Sequence, residues 1–175
     1  MTAPSLQALL TAGALAGQWV LDRRASSIQF TSKALGFPVT GTFREISGSG
    51  TVSPGGEISG TLTVAAASID TGSARRDAHL RSADFFDSDH HPDITFAADS
   101  IRPAGQGVAV TGALTVRGRT RPVSFDAAAS MPGDGETWLD AEVRINRSGF
   151  GLTWNLIGMA SMNSTLAIHA VFTRR

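Results

Sequence analysis

From Trp19 to the C-terminus the chain alternates apolar and polar residues with a period of two. Successive side chains of a strand point to opposite faces, so this period marks half-buried antiparallel strands. Ile28 and Phe30 oppose Gln29, Thr31 and Lys33. Val39, Gly41 and Phe43 oppose Thr40, Thr42 and Arg44, and Ile58, Gly60, Leu62 and Val64 oppose Ser59, Thr61 and Thr63. The same phase returns across 94–98, 108–116, 123–129, 139–145 and 166–172. Turn signals separate the runs: Pro54-Gly55-Gly56, the stretch 103–107, Arg117-Gly118-Arg119 and the stretch 132–135. Gly48-Ser49-Gly50 also reads as a turn. About eight such strands with short connections predict an all-β domain, an up-and-down barrel or a sandwich.

Two segments depart from the alternation. Residues 73–82 have helix-forming composition with Ser73 as N-cap, and predict a helical excursion across one end of the strands. Leu6, Leu9 and Leu10 follow Ser5, which predicts a short N-terminal helix packed on the body. The alternative for that segment is a secretory leader ending at Ala14-Leu15-Ala16, but no basic residue precedes Arg23. The chain thus divides into an N-terminal helical extension, 1–18, and one β domain, 19–175. A cytoplasmic location is expected, or a periplasmic or secreted one if 1–16 act as a signal.

Composition narrows the function. Fifteen basic and fifteen acidic residues balance, so no nucleic-acid partner is expected. No cysteine is present, which excludes disulfides, thiol catalysis and cysteine-bound zinc. No run approaches the about 20 apolar residues of a membrane-spanning helix. The nineteen glycines point instead to turns and to places where side chains must be absent. Gly41, Gly60, Ala66, Ala98, Gly112, Ala127, Ala129, Ala141 and Ala170 fall in phase with the large apolar residues. Interiors do not tolerate voids. Either the sheet therefore closes tightly on itself, or something else fills the space.

The titratable residues cluster around the helical excursion. His79, Asp84, Asp87, Asp89, His90 and His91 could bind a metal or exchange protons, which is the enzyme reading of this chain. No metal-ligand spacing or Gly-x-Ser-x-Gly elbow accompanies them, and Asp84 and Asp87 read better as turn caps. Arg75, Arg76 and Arg81 lie on the same segment. They serve either in local ion pairs, such as Asp77 with Arg81 one turn apart, or against a polar ligand head. Arg147 is in phase with Val143 and Ile145, so it points inward, where a carboxylate is its expected partner and a ligand head the alternative. The segment 150–162 is too apolar for an ordinary loop, and reads either as a lid over one end or as a portal or dimer surface.

Read together, these pieces resemble the YceI-like family, the polyisoprenoid-binding, lipocalin-like proteins of bacteria. The likeness is carried by Trp19-Val20-Leu21-Asp22, by 26–30, Gly41-Thr42-Phe43 and Ile69-Asp70-Thr71. It continues through 76–80, 82–87, 92–96, 112–118 and Arg147-Ser148-Gly149-Phe150-Gly151, and is most specific from Arg76 to Phe96. The resemblance implies an extended eight-stranded antiparallel barrel holding a long apolar chain, a carrier without catalysis, cofactor or metal. It also implies a homodimer as one assembly state. An apolar small-molecule lipid (isoprenoid, quinone-like or fatty chain) is the expected partner. The lining expected from the alternation is Ile28, Phe30, Phe43, Leu62, Val64, Phe96 and Leu114, with Val116, Phe125, Val143, Ile145, Leu166 and Ile168. Arg75, Arg76, Arg81 and Arg147 are the candidate head-group contacts. The alternatives are an enzyme using His79, Asp84, Asp87, His90 and His91, or an interaction module with a solid core.

Overall fold

The computed structural model describes residues 4–133, 135–154 and 160–175. In chain order its strands are β1 (Gly17–Leu21), β2 (Ser27–Ala34), β3 (Phe37–Phe43), β4 (Ile46–Val52), β5 (Ile58–Ala65) and β6 (Ile69–Asp70). β7 (Asp93–Ala104), β8 (Gly107–Val116), β9 (Arg119–Gly133), β10 (Glu136–Asn146) and β11 (Asn163–Arg174) follow. Two helices, α1 (Leu6–Thr11) and α2 (Ala74–Arg81), sit where capping chemistry places them. Ser5 Oγ accepts the N–H of Ala8 and Ser73 Oγ that of Arg76, each closing an otherwise orphaned first turn.

Several strands are halves of one longer stave. β1 and β2 both run antiparallel to β11, with Leu21 opposite Phe172 and Ser27 opposite His169. The break between them is a turn in which Asp22 Oδ1 accepts the N–H groups of Arg24 and Ala25. β3 continues into β4 across Arg44-Glu45, and β5 into β6 across the 3-10 turn Ala66–Ser68. Each stave pairs antiparallel with the next in sequence, and β1 pairs with β11 to close the ring. The result is an up-and-down barrel of eight staves, the architecture that removes sheet edges by closure. β7 and β11, each of twelve residues, represent about 40 Å of strand, so the barrel is elongated.

Gly48-Ser49-Gly50 is not a turn but the middle of β4, with Gly48 opposite Leu62 and Gly50 opposite both Gly60 and Trp19. A Cβ on Gly48 would lie 3.1 Å from the Thr61 carbonyl and 3.2 Å from the Leu62 side chain. The strand is small-residued because its neighbours fill its space, and its backbone pairs regardless of propensity.

The barrel has two unlike ends. The base gathers α1 and the β4–β5, β7–β8 and β9–β10 turns. Here Leu10 is buried, the indole N–H of Trp19 donates to the Leu15 carbonyl, and Arg174 donates to the Ala14 and Ala16 carbonyls while stacking on Trp19. The mouth gathers the β2–β3 turn, α2 with the segment 82–92, the β8–β9 turn and the segment after β10. Among the described residues no helix is long and apolar enough to cross a membrane.

Candidate functional site: an apolar lumen with a basic mouth

The inward faces of the staves enclose two chambers. The upper one, beneath the mouth, has a volume of about 720 Å³, and the lower one, above α1, about 230 Å³. Ile28, Phe30, Phe43, Val64 and Val116 line the upper chamber, and Phe96, Phe125 and Val143 line the lower. Leu62, Leu114, Ile145, Leu166 and Ile168 line both and form the belt between them. The two-residue period puts these side chains on one face, and in a barrel that face is the inside. The interior is not packed solid.

The small inward residues do not act as one class. Ala98, Ala127, Ala129, Ala141 and Ala170 line the lower chamber. Gly41 and Gly112 do not open space; aromatic rings cover them. A Cβ on Gly41 would lie 2.6 Å from the Phe30 ring, and one on Gly112 would lie 2.5 Å from the Phe96 ring and nearer still to the Ala97 carbonyl oxygen. Gly112 pairs with Ala98 where β7 bulges past Asp99, and this brings the backbones too close for a side chain. Phe96 in turn packs on Phe125, with ring centroids 5.7 Å apart.

Among the described residues, ionisable groups meet the lumen only at the mouth: Lys33, Arg75, Arg76, His79 and Arg147 line the upper chamber with no carboxylate, and no charged residue lines the lower one. Arg76 is held in place: its Nε and one terminal nitrogen donate to the hydroxyl and carbonyl of Thr71, each at 2.8 Å. Buried Asp77 accepts the Thr71 N–H and hydroxyl, so the helix carboxylate anchors α2 to β6 rather than pairing with Arg81. Arg81 does not line the chamber. Its carbonyl accepts from the Ser88 hydroxyl and N–H at the outer end of α2. Lys33, read from sequence as an outward residue, is among the residues lining the upper chamber at the mouth, near the end of β2 where its carbonyl accepts the Ser161 N–H.

Arg147 points inward and is buried, and the partners that the structure shows are backbone carbonyls rather than the expected carboxylate. Its Nε donates to the Ser161 carbonyl at 2.9 Å, one terminal nitrogen to the Leu152 and Trp154 carbonyls at 2.6 and 2.8 Å, and the other to the Ala160 carbonyl at 3.5 Å. The chain after β10 wraps round the guanidinium, whose planar fan of donors can serve several acceptors at once. Burial pushes its pKa down from the ordinary value. Its charge also rests 5.5 Å from the Phe85 ring centroid. Phe85, Trp154 and His79 pack together, His79 lying 4.5 Å edge-on to Trp154. Phe150 and Leu152, part of the segment read as a lid or portal, are buried against Val116. Residues 155–159 of that segment lie outside the described residues.

The histidines and aspartates form separate pairs. His79 Nε2 meets Asp84 Oδ2 at 3.0 Å, and His90 Nδ1 meets Asp87 Oδ1 at 2.9 Å. The hydrogen bond between the latter two raises the His90 pKa and lowers that of Asp87. His91 instead packs beside Gly118 at the β8–β9 turn. Among the described residues no three such groups stand where they could hold a metal ion. Of the lining, Phe86, Trp154 and Leu80 are not among the residues expected from the alternation, because they belong to the excursion and to the segment read as a lid or portal, where no two-residue phase assigns a side.

Comparison with known proteins places this geometry. The model of the YceI-like domain matches residues 19–172. A UPF0312 protein of Serratia proteamaculans is 34% identical, covering 91% of this chain and 88% of its own. Protein YceI of Salmonella arizonae is 31% identical over 90% and 87%, respectively. Among solved structures, BcnA of Burkholderia cenocepacia superposes with a TM-score of 0.79 at 25% identity, covering 86% of this chain and 98% of that one. A polyisoprenoid binding domain from Saccharophagus degradans, implicated in plant cell wall breakdown, superposes at 0.74 with 17% identity, over 90% and 98%. The matched region takes in nearly every stave of the barrel, with relatives about one third identical along most of their length, and the chain belongs to the YceI-like family.

Proposed function

We propose that the barrel carries one long apolar chain, an isoprenoid or similar lipid, with its tail in the lumen and a polar or anionic head at the mouth. The observation that carries this reading is the 720 Å³ upper chamber, walled by apolar side chains, with Lys33, Arg75, Arg76 and Arg147 but no carboxylate among its described lining residues. A well-packed core leaves no such space, whereas ligand pockets commonly occupy about 300–1,000 Å³. The lower chamber extends the path for a longer tail. The Saccharophagus degradans domain, described as polyisoprenoid-binding, shares the barrel and is in keeping with the reading. Arg75 and Lys33 are the head-group contacts we favour, Arg76 a cation already oriented by Thr71, and Arg81 and Arg147 are set aside. Carriage rather than catalysis fits the His79–Asp84 and His90–Asp87 pairs, whose members are tied to one another.

Calorimetric titration tests this with farnesyl and geranylgeranyl phosphates against the matching alcohols. One equivalent of either prenyl chain is expected to saturate the barrel. Lys33→Gln with Arg75→Gln is expected to weaken the phosphates about tenfold and leave the alcohols unchanged, since only a charged head gains from the rim. Failure of every prenyl compound to bind would overturn the reading.

A further inference from the structure

The β2–β3 hairpin does more than close a stave. Beyond Thr31 β2 is tied to the chain around the start of β11 by the Ser32 hydroxyl donated to the Asn163 carbonyl, the Ser161 N–H donated to the Lys33 carbonyl and the Ala34–Ala160 bridge, while among the described residues β3 pairs only with β2 before Thr42. The turn past Ala34 lies at the mouth. Its tip carries Leu35, 63% exposed, and Phe37, 73% exposed. Trp138 is the other large apolar residue exposed among those described, and it is engaged by Glu136 and His169 on the barrel wall. Among the described residues no hydrogen bond or ring contact of this kind engages the Leu35 or Phe37 side chain.

Leu35 also occupies a costly position. It has φ 54° and Gly36 has φ 77°, the signature of a two-residue turn that favours Asn-Gly. A leucine there is strained and solvent-exposed, so the turn itself gains nothing from it. Phe37 pairs with Ala34, and Val39 with Ser32. Cross-strand partners share a face, and Ser32, Ala34 and Val39 line the upper chamber. Phe37 thus carries the apolar face of the lumen outward past the rim. Lys33, Arg75 and Arg76, all exposed, line the same chamber, with no carboxylate among its described lining residues.

We propose that this hairpin is a docking tip for an anionic phospholipid bilayer, with Leu35 and Phe37 entering the interface and the basic rim meeting the headgroups. Two apolar side chains on a narrow tip offer far less than the about 1,200–2,000 Å² of a stable protein interface. They suit the shallow insertion of an interfacial anchor, which combines apolar burial with basic attraction to anionic lipid. The mouth would then face the membrane, so a chain could pass between bilayer and lumen without crossing water. That consequence, though not the docking itself, rests on the reading of the lumen given above.

The test is co-sedimentation of the full chain with vesicles of phosphatidylcholine alone, or containing about one third phosphatidylglycerol. The parent is expected to bind the phosphatidylglycerol vesicles, and less so as salt rises. Leu35→Asn with Phe37→Ser is expected to weaken that binding at least about tenfold. Asparagine suits the turn better than leucine, so a misfolded hairpin cannot explain the loss. Lys33→Gln with Arg75→Gln is expected to remove the preference for phosphatidylglycerol. Titration of farnesyl phosphate without vesicles separates the two proposals. Should the parent bind vesicles but no farnesyl phosphate, docking stands and the carrier reading falls. Docking is overturned if the parent ignores both vesicle types, or if the Leu35 and Phe37 variant binds them as the parent does. It is equally overturned if sedimentation velocity shows the tip joining two copies of the chain, with the variant monomeric and neither form bound to vesicles.

Discussion

At the scale of single residues, inward phase alone did not decide a side chain's role. Gly112 and Ala127 lie in the same phase on neighbouring strands, yet Gly112 is closed off by the Phe96 ring and the Ala97 backbone while Ala127 lines a chamber. Nothing local to Gly112 announces a bulge on the partner strand, so its crowding was invisible in sequence. Arg147 shows the opposite: its inward direction was legible from phase, but its acceptors were not, because backbone carbonyls of a loop carry no residue signature. The network makes a definite prediction. Lysine is a point donor and cannot fan across the Leu152, Trp154, Ala160 and Ser161 carbonyls. Arg147→Lys is expected to cost about 2–4 kcal/mol in urea unfolding, because buried carbonyls lose charge-assisted partners. A loss below about 0.5 kcal/mol, the range of an ordinary surface change, would show that the guanidinium does not organise this loop.

At the scale of elements, the long staves were legible and the short joints were not. β7, β8, β10 and β11 are each ten or more residues long and carry the alternating runs 94–98, 108–116, 139–145 and 166–172, and both helices carry a serine cap in view. β4, with two glycines and two serines in seven residues, lacks side-chain pattern and exists because β1 and β5 hydrogen-bond to it from both sides. The division of the lumen belongs to this scale too, since it depends on which staves press Leu62, Leu114, Leu166 and Ile168 together. Ala127, on β9, faces the lower chamber beyond that belt. Ala127→Phe is therefore expected to shorten the path without unfolding the barrel. Geranylgeranyl phosphate should bind about tenfold more weakly by calorimetry, with farnesyl phosphate nearly unaffected. If the base were instead packed solid, the substitution would overpack it at a cost of about 1–3 kcal/mol, visible as a lowered Tm with no change in chain-length preference.

At the scale of the whole molecule, the fold reduces to one physical choice. The chain spends its apolar side chains on walls rather than on a filled centre, and closes the base with α1 and Trp19 while leaving cations at the mouth. A closed sheet with such an interior gains from a guest that supplies the missing contacts, because unfilled apolar lining forgoes dispersion. The sequence made the walls legible through a period of two, and the family resemblance supplied the expectation of a hollow centre, which glycine and alanine positions alone left undecided. The most direct test is organic extraction of the protein purified without detergent, followed by mass spectrometry of the extract against the protein concentration. The account predicts about one long-chain species per barrel, lost or shortened in Ala127→Phe. A barrel that emerges with no extractable chain, and that gains no thermal stability when prenyl phosphate or alcohol is added, would contradict it.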